Sequence, residues 1–146
     1  MNKQLIIIFG LSSIFLATAN LSAQSVLGKW NSVNPENNKI ESTIAVYLEK
    51  NLLYAKIIKI SDPLKQDKLC TACKGKNKNK PILGMIILFG LKKDGNEWNG
   101  GKILDPKSGK IYKCYISLKD KNTLKLRGYI GFSLFGRTEY WQRAKK

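Results

Sequence analysis

The sequence predicts an all-β domain: an antiparallel meander of about eight strands closing into a small barrel, with a two-sheet β-sandwich as the alternative. Three observations carry this reading. Apolar and polar residues alternate at period two from Ile40 to Glu49 and again from Ile111 to Leu118, the mark of half-buried strands. Turn chemistry recurs between the apolar runs, at Glu49-Lys50-Asn51, Asp94-Gly95-Asn96, Asp105-Pro106-Lys107-Ser108-Gly109 and Lys119 to Asn122. No helical period of any length interrupts the series. A meander of many strands hides its edges best by closing on itself, which favours the barrel over the sandwich.

The first 23 residues read as a secretory signal peptide rather than as fold. Lys3 supplies a short positive region, Leu5 to Ala19 is apolar, and Leu21-Ser22-Ala23-Gln24 places the cut after Ala23. The apolar run is about 15 residues, short of the roughly 20 that span a bilayer as a helix, which argues against an uncleaved anchor. No cysteine lies near the cut, so a lipid-anchored lipoprotein is disfavoured. Residues 24–146 then form one domain, exported to the periplasm or the medium.

Val26 to Val33 reads as the first strand, Ile40 to Glu49 as the second and Leu52 to Ile60 as its hairpin partner. Ser61 to Pro81 differs: it holds Asp62-Pro63, two cysteines and Lys74, Lys76, Lys78 and Lys80, with few apolar residues. Connections of that length in a compact domain usually serve function. Ile82 to Leu91 is a nearly continuous apolar strand, and Asp94-Gly95 a hairpin turn into Glu97 to Leu104, where Gly100-Gly101 marks a bulge. On the next strand Tyr112, Cys114, Ile116 and Leu118 share a face. Leu124, Leu126, Gly128 and Ile130 then face one way, and Lys125, Arg127 and Tyr129 the other. A glycine-bounded connector containing Phe132, Leu134 and Phe135 leads to a closing strand; these side chains plug the barrel or form an exposed membrane-touching tip.

Charge dominates the composition, with 26 Lys plus Arg against 10 Asp plus Glu, no His and a formal net charge of +16. Such a surface attracts anionic lipids, fatty-acid carboxylates and phosphates, and it also keeps an exported protein soluble. Nucleic acid is not a favoured partner, because the chain is exported and has no recognition motif. Among the cysteines, Cys70 and Cys73 fit a local disulfide in an oxidising compartment, a bridge from one of them to Cys114 being the alternative. A thiol-redox role has Lys68 and Lys74 nearby to depress a thiol pKa, but lacks the helix N-terminus and βαβ context of thioredoxin-type chemistry. Cys114, on the apolar face of its strand, reads as a small buried hydrophobe.

Catalysis has little support. Without histidine the usual general base is missing, and Glu41, Glu49, Glu97 and Glu139 are scattered over different strands. Three cysteines cannot make the four-ligand closed site of structural zinc. The glycines from Gly95 to Gly101-Lys102 lack the spacing of a phosphate loop. The reading is a non-enzyme that requires no cofactor and no metal.

Several stretches together resemble a bacterial family of small exported proteins classed as a domain of unknown function. They are Gly28-Lys29-Trp30, Lys80-Pro81-Ile82-Leu83-Gly84, Gly100-Gly101-Lys102-Ile103-Leu104-Asp105-Pro106 and Ser108-Gly109-Lys110-Ile111-Tyr112. Arg127-Gly128-Tyr129-Ile130-Gly131 and Leu134-Phe135-Gly136-Arg137-Thr138 complete the pattern. The resemblance implies an exported, lipocalin-like barrel with no established activity; Cys70-Thr71-Ala72-Cys73 departs from the family's usual asparagine- and proline-containing segment. A more distant similarity is to lipocalins and avidins, whose first strand also carries Gly-x-Trp. It implies a structural role for Gly28, and a late arginine, Arg143 or Arg137, stacked on Trp30.

Binding is therefore the better-founded function. A small barrel can hold one amphipathic molecule between apolar walls, and Arg127, Tyr129, Arg137 and Tyr140 could anchor its anionic head group. The opposing reading has these arginines solvated or stacked on Trp30 and Trp141, with a filled core. The second functional reading is a structural or interaction protein docking on anionic envelope lipid or a partner through the basic loop.

Overall fold

A computed structural model describes residues 25–145. Its eight strands are β1 (Gly28–Val33), β2 (Ile40–Glu49), β3 (Leu52–Ile60), β4 (Ile86–Asp94), β5 (Glu97–Asp105), β6 (Lys110–Asp120), β7 (Thr123–Tyr129) and β8 (Gly136–Arg143). Each pairs antiparallel with the next, and β8 returns to β1 through Trp30↔Arg143, Asn31↔Gln142 and Ser32↔Trp141. The sheet is a closed barrel, so the sandwich alternative drops out. The expected signal peptide, residues 1–23, lies outside the described residues. Among the described residues no helix is long and apolar enough to cross a membrane.

Period two decides which side chains enter. Ile44 and Val46 of β2, Leu53 and Ala55 of β3, Cys114 and Ile116 of β6, and Leu124 and Leu126 of β7 are all buried. The residues between them, such as Lys56, Lys113 and Lys125, face outward. One apolar cluster runs from Trp30 to the Cys70–Cys73 pair, with Leu88 and Leu91 fully buried along it. Burying a leucine or isoleucine this completely stabilises a fold by about 1.5–3 kcal/mol. Gly101 belongs to this packing: a Cβ there would strike the Leu91 side chain and the Phe89 carbonyl.

Besides shifts of one to three residues at other strand ends, three boundaries differ from the sequence reading for a local reason. β4 begins at Ile86 rather than Ile82, because Ile82 to Met85 forms a turn, with Met85 N–H donating to Ile82 O and Gly84 at φ +86°. Met85 and Ile82 are apolar because they pack on the core from a loop. β7 ends at Tyr129, and Gly131 at φ +71° turns the chain, so Ile130 leaves the face it was expected to share with Leu124 and Leu126 and stands exposed. β1 starts at Gly28, whose φ of +121° lets Val26 tuck back into the core.

The two barrel ends differ. One carries the tight β2–β3, β4–β5 and β6–β7 turns together with the start of β1 and the end of β8. The other, called the mouth below, carries the β1–β2 turn, the long 61–85 segment, the β5–β6 turn and the β7–β8 connector.

Candidate functional site

The closed end is built around Trp30. Its indole is fully buried and donates from Nε1 to Val26 O at 2.8 Å. Arg143, its cross-strand partner, lies over the ring with the guanidinium carbon 4.1 Å from the centroid. The same guanidinium donates to Lys121 O at 2.7 Å and Ser25 O at 2.9 Å. The sequence put Arg143 first for this stack, with Arg137 as the alternative. β-Pairing decides between them, since Arg137 pairs with Gly128, well up the barrel toward the mouth. An arginine committed to an indole face and main-chain carbonyls is structural, and no ligand group is needed to explain it.

At the mouth, the 61–85 segment folds back as a lid. Cys70 and Cys73 form a disulfide, with Cα atoms 5.3 Å apart, and both are buried. Cys114 is the free cysteine, inside the barrel wall, so no bridge reaches it. Burial pushes its thiol pKa up to about 12, which leaves it protonated and inert. The disulfide rests on the β5–β6 turn, where Cys70 Sγ lies 3.3 Å from Pro106 O. Gly109, at φ +69°, has no room for a Cβ because the Ala72 carbonyl occupies the space. Lys107 at the tip of that turn reaches Glu41 of β2, with β3 and β4 lying between β2 and β5 in the sheet order, at Nζ–O distances of 2.9 and 3.0 Å. Burial raises the Glu41 pKa, but hydrogen bonds from Lys107 and Asn34 and the charge of Lys107 outweigh it, and the net shift is downward. Lid, turn and β2 thus form one docked unit at the mouth.

Beside the lid lies a cleft of about 490 Å³. Leu104, Ile111, Tyr112 and Ile130 supply apolar surface, and Lys74, Lys110, Asn77 and Ser108 supply polar groups. Among the described residues neither Lys74 nor Lys110 makes a salt bridge. A second cleft of about 370 Å³, on the other flank of Lys76 and Asn77, has Lys76 and Lys80 beside Leu83, Met85, Ile86 and Phe89. Apolar surface with unpaired ammonium groups at its edge suits a molecule with a hydrocarbon part and an anionic head.

The four residues singled out from sequence as head-group anchors do not converge on one cavity. Arg127 lies on the outer wall, between buried Leu126 and Gly128, and its guanidinium binds Ser133 O, Leu134 O and Thr138 Oγ1 at 2.8–3.1 Å. Tyr129 is half-buried on the same outer face, against Gly136. Tyr140 is exposed, with Lys119 Nζ 4.8 Å above its ring. Arg137 sits at the mouth end of β8, on the parity of buried Trp141, but lines neither cleft. It pairs with Glu139, whose hydrogen bond and charge raise its pKa, and Asp105 and Tyr112 add smaller contributions. The cleft lysines were missed as ligands because Lys110 sits in a turn motif and Lys74 in a lysine run. Only the fold brings them to one place.

An eight-stranded closed meander, sealed at one end by a tryptophan and an arginine and open to small clefts at the other, defines a lipocalin-like barrel. Residues 28–143 match the family model described as an uncharacterized protein conserved in bacteria (DUF2147), and the chain belongs to that family. Among solved structures the barrel is similar to protein HP1028 of Helicobacter pylori, described as belonging to the lipocalin family. The TM-score is 0.72 at 20% identity, with 84% of each chain covered, a likeness of fold. A comparison with curated protein sequences gives no match.

Proposed function

We propose that this is a non-catalytic binding protein of the bacterial envelope, taking a small amphipathic anion at the mouth cleft. The observation that carries the reading is the cleft itself, whose lining Lys74 and Lys110 share with Leu104, Ile111, Tyr112 and Ile130. Its volume falls within the usual range of small-molecule sites. The barrel interior behind it is occupied by side chains from Trp30 to Cys73, so the ligand's chain lies along the mouth rather than down the axis. The apolar run before Ala23 supports export, to periplasm or medium.

The test uses dodecanoate as the probe, dodecanol as its neutral counterpart, and titration calorimetry or native mass spectrometry as the readout. The expected result is one-to-one binding of dodecanoate, much weaker binding of dodecanol, and a loss of about tenfold or more in the Lys74→Glu, Lys110→Glu double variant. Equal affinity for both probes, or an unchanged double variant, would exclude the assignment.

A further inference from the structure

The mouth also carries an apolar prominence. In the β7–β8 connector Ile130, Phe132, Leu134 and Phe135 are 68%, 77%, 84% and 73% exposed, four large apolar side chains within six residues. Exposed Leu64 and half-exposed Leu69 and Ile111 belong to the same barrel end. Single exposed hydrophobes need no explanation, but a contiguous tip of two phenylalanines and a leucine marks a contact surface.

The tip is pre-shaped. Arg127 donates to the Ser133 carbonyl from Nε at 3.0 Å and Nη2 at 2.8 Å, to Leu134 O at 3.1 Å, and to Thr138 Oγ1 at 3.0 Å. Phe135 N–H donates to Phe132 O, and Ile130 N–H to Phe135 O. The carbonyls from Phe132 to Phe135 are therefore satisfied from within. This matters where water is scarce, because an unpaired main-chain carbonyl moved out of water costs several kcal/mol. A loop whose carbonyls are already bonded loses less on entering the interfacial region than one whose carbonyls rely on water.

Charge sits beside the tip. The lid carries Lys65, Lys68, Lys74, Lys76, Lys78 and Lys80 against Asp62 and Asp67, and Lys110 stands on the neighbouring hairpin. Lys78 is held by its ammonium to Thr71 O, and Lys65 pairs with Asp62. The others make no salt bridge among the described residues. Apolar side chains ringed by lysines match the boundary of an anionic bilayer, with acyl chains below and phosphates above. The barrel wall does not match it: Lys56, Lys102, Lys113 and Lys125 alternate with inward residues, where a lipid-facing wall would be an apolar band.

We propose that the mouth end docks on the surface of an anionic phospholipid bilayer, with Phe132, Leu134 and Phe135 entering the interfacial region and the lid lysines lying over the head groups. Arg127 is then a positioning residue, bonding the carbonyls of Ser133 and Leu134 so that the tip can enter. The docking stands whether or not the cleft binds a ligand. If it does, an amphiphile can pass between membrane and cleft without crossing water.

Flotation with vesicles of phosphatidylcholine, alone or mixed with phosphatidylglycerol, tests this. Every variant keeps the wild-type N-terminal segment, so differences report the mouth. The protein should float with phosphatidylglycerol vesicles and stay behind with phosphatidylcholine alone. Phe132→Ser, Leu134→Ser and Phe135→Ser combined should weaken this at least about tenfold at unchanged net charge. Lys74→Glu, Lys76→Glu and Lys80→Glu combined should weaken it similarly, and both effects should shrink as salt abolishes binding. A tryptophan at position 132 should shift its emission to the blue on vesicles. Wild-type protein that ignores anionic vesicles overturns the proposal, as does a serine variant that floats like wild type. A tip-dependent dimer in sedimentation analysis without vesicles would assign the patch to a second copy and overturn it too. These outcomes are separate from dodecanoate binding, which is read without membranes.

Discussion

Arg143 covers the Trp30 ring at 4.1 Å while its guanidinium is bonded to the carbonyls of Ser25 and Lys121. One side chain thus ties together the segment before β1, the β6–β7 turn and the last strand, along a seam where only three residue pairs join β1 to β8. Arg143→Ala should cost about 1–3 kcal/mol from the lost cation–π contact and charge-assisted hydrogen bonds. Arg143→Lys should recover less than half of this, because an ammonium cannot present the planar fork. Urea unfolding of the three proteins measures the difference.

The two buried indoles of the barrel should respond differently to truncation. Trp30 Nε1 is bonded to Val26 O, whereas Trp141 Nε1 has no partner among the described residues. Replacing Trp30 by Phe removes a bond and strands a carbonyl; replacing Trp141 by Phe removes an unsatisfied donor. Trp30→Phe should therefore be the more destabilising, by about 1–2 kcal/mol, and a Trp141→Phe variant with the larger loss would contradict the hydrogen-bond assignment.

Thiol counting under denaturing, non-reducing conditions should give one free thiol, from Cys114, and three after reduction. The Cys70–Cys73 ring is small, and loop-closure entropy gives it only about 2 kcal/mol. Cys70→Ser with Cys73→Ser should therefore keep the barrel's far-ultraviolet circular dichroism while its lid amides exchange faster with deuterium.

Gly109→Ala should loosen the same lid from the opposite side. The new methyl meets the Ala72 carbonyl at a residue already in the left-handed region. Such a position costs about 1–3 kcal/mol, and faster exchange confined to residues 69–74 and 105–110 would locate the damage.

The Lys107–Glu41 link has a defined pH window. The folded Glu41 pKa lies below its unfolded value, so its contribution is fully present above the unfolded glutamate pKa, about 4.3, and is lost as pH falls through the folded value. Lys107 is well exposed and Glu41 partly so, and the contribution is small. A stability difference between wild type and Glu41→Gln that is constant above pH 5 and shrinks in more acid solution would fit; one that grows in acid would not.

The strands and the closed end were legible from local rules. Period two named the inward residues of β2, β6 and β7, and Gly28-Lys29-Trp30 announced the sealed end. Loops broke the reading. Ile82 and Met85 look like strand because apolarity records burial, and a lid can bury a residue as well as a sheet can. Arg127 was placed correctly on the face opposite Leu124 and Leu126, but that face points away from the barrel, where its partners are carbonyls six and seven residues on. The cleft was illegible because Lys74, Leu104, Lys110 and Ile130 meet only after three connections converge. Parity along one strand carries no information about what another loop brings.

With an even number of strands, the chain enters at Gly28 and leaves at Arg143 on the same side of the molecule, diametrically opposite the cleft and the aromatic tip. A tag, fluorescent fusion or sensor-chip linkage joined beyond β8 therefore leads away from the sealed base and leaves the mouth facing solution, so immobilised protein should report ligand and vesicle binding without obstruction.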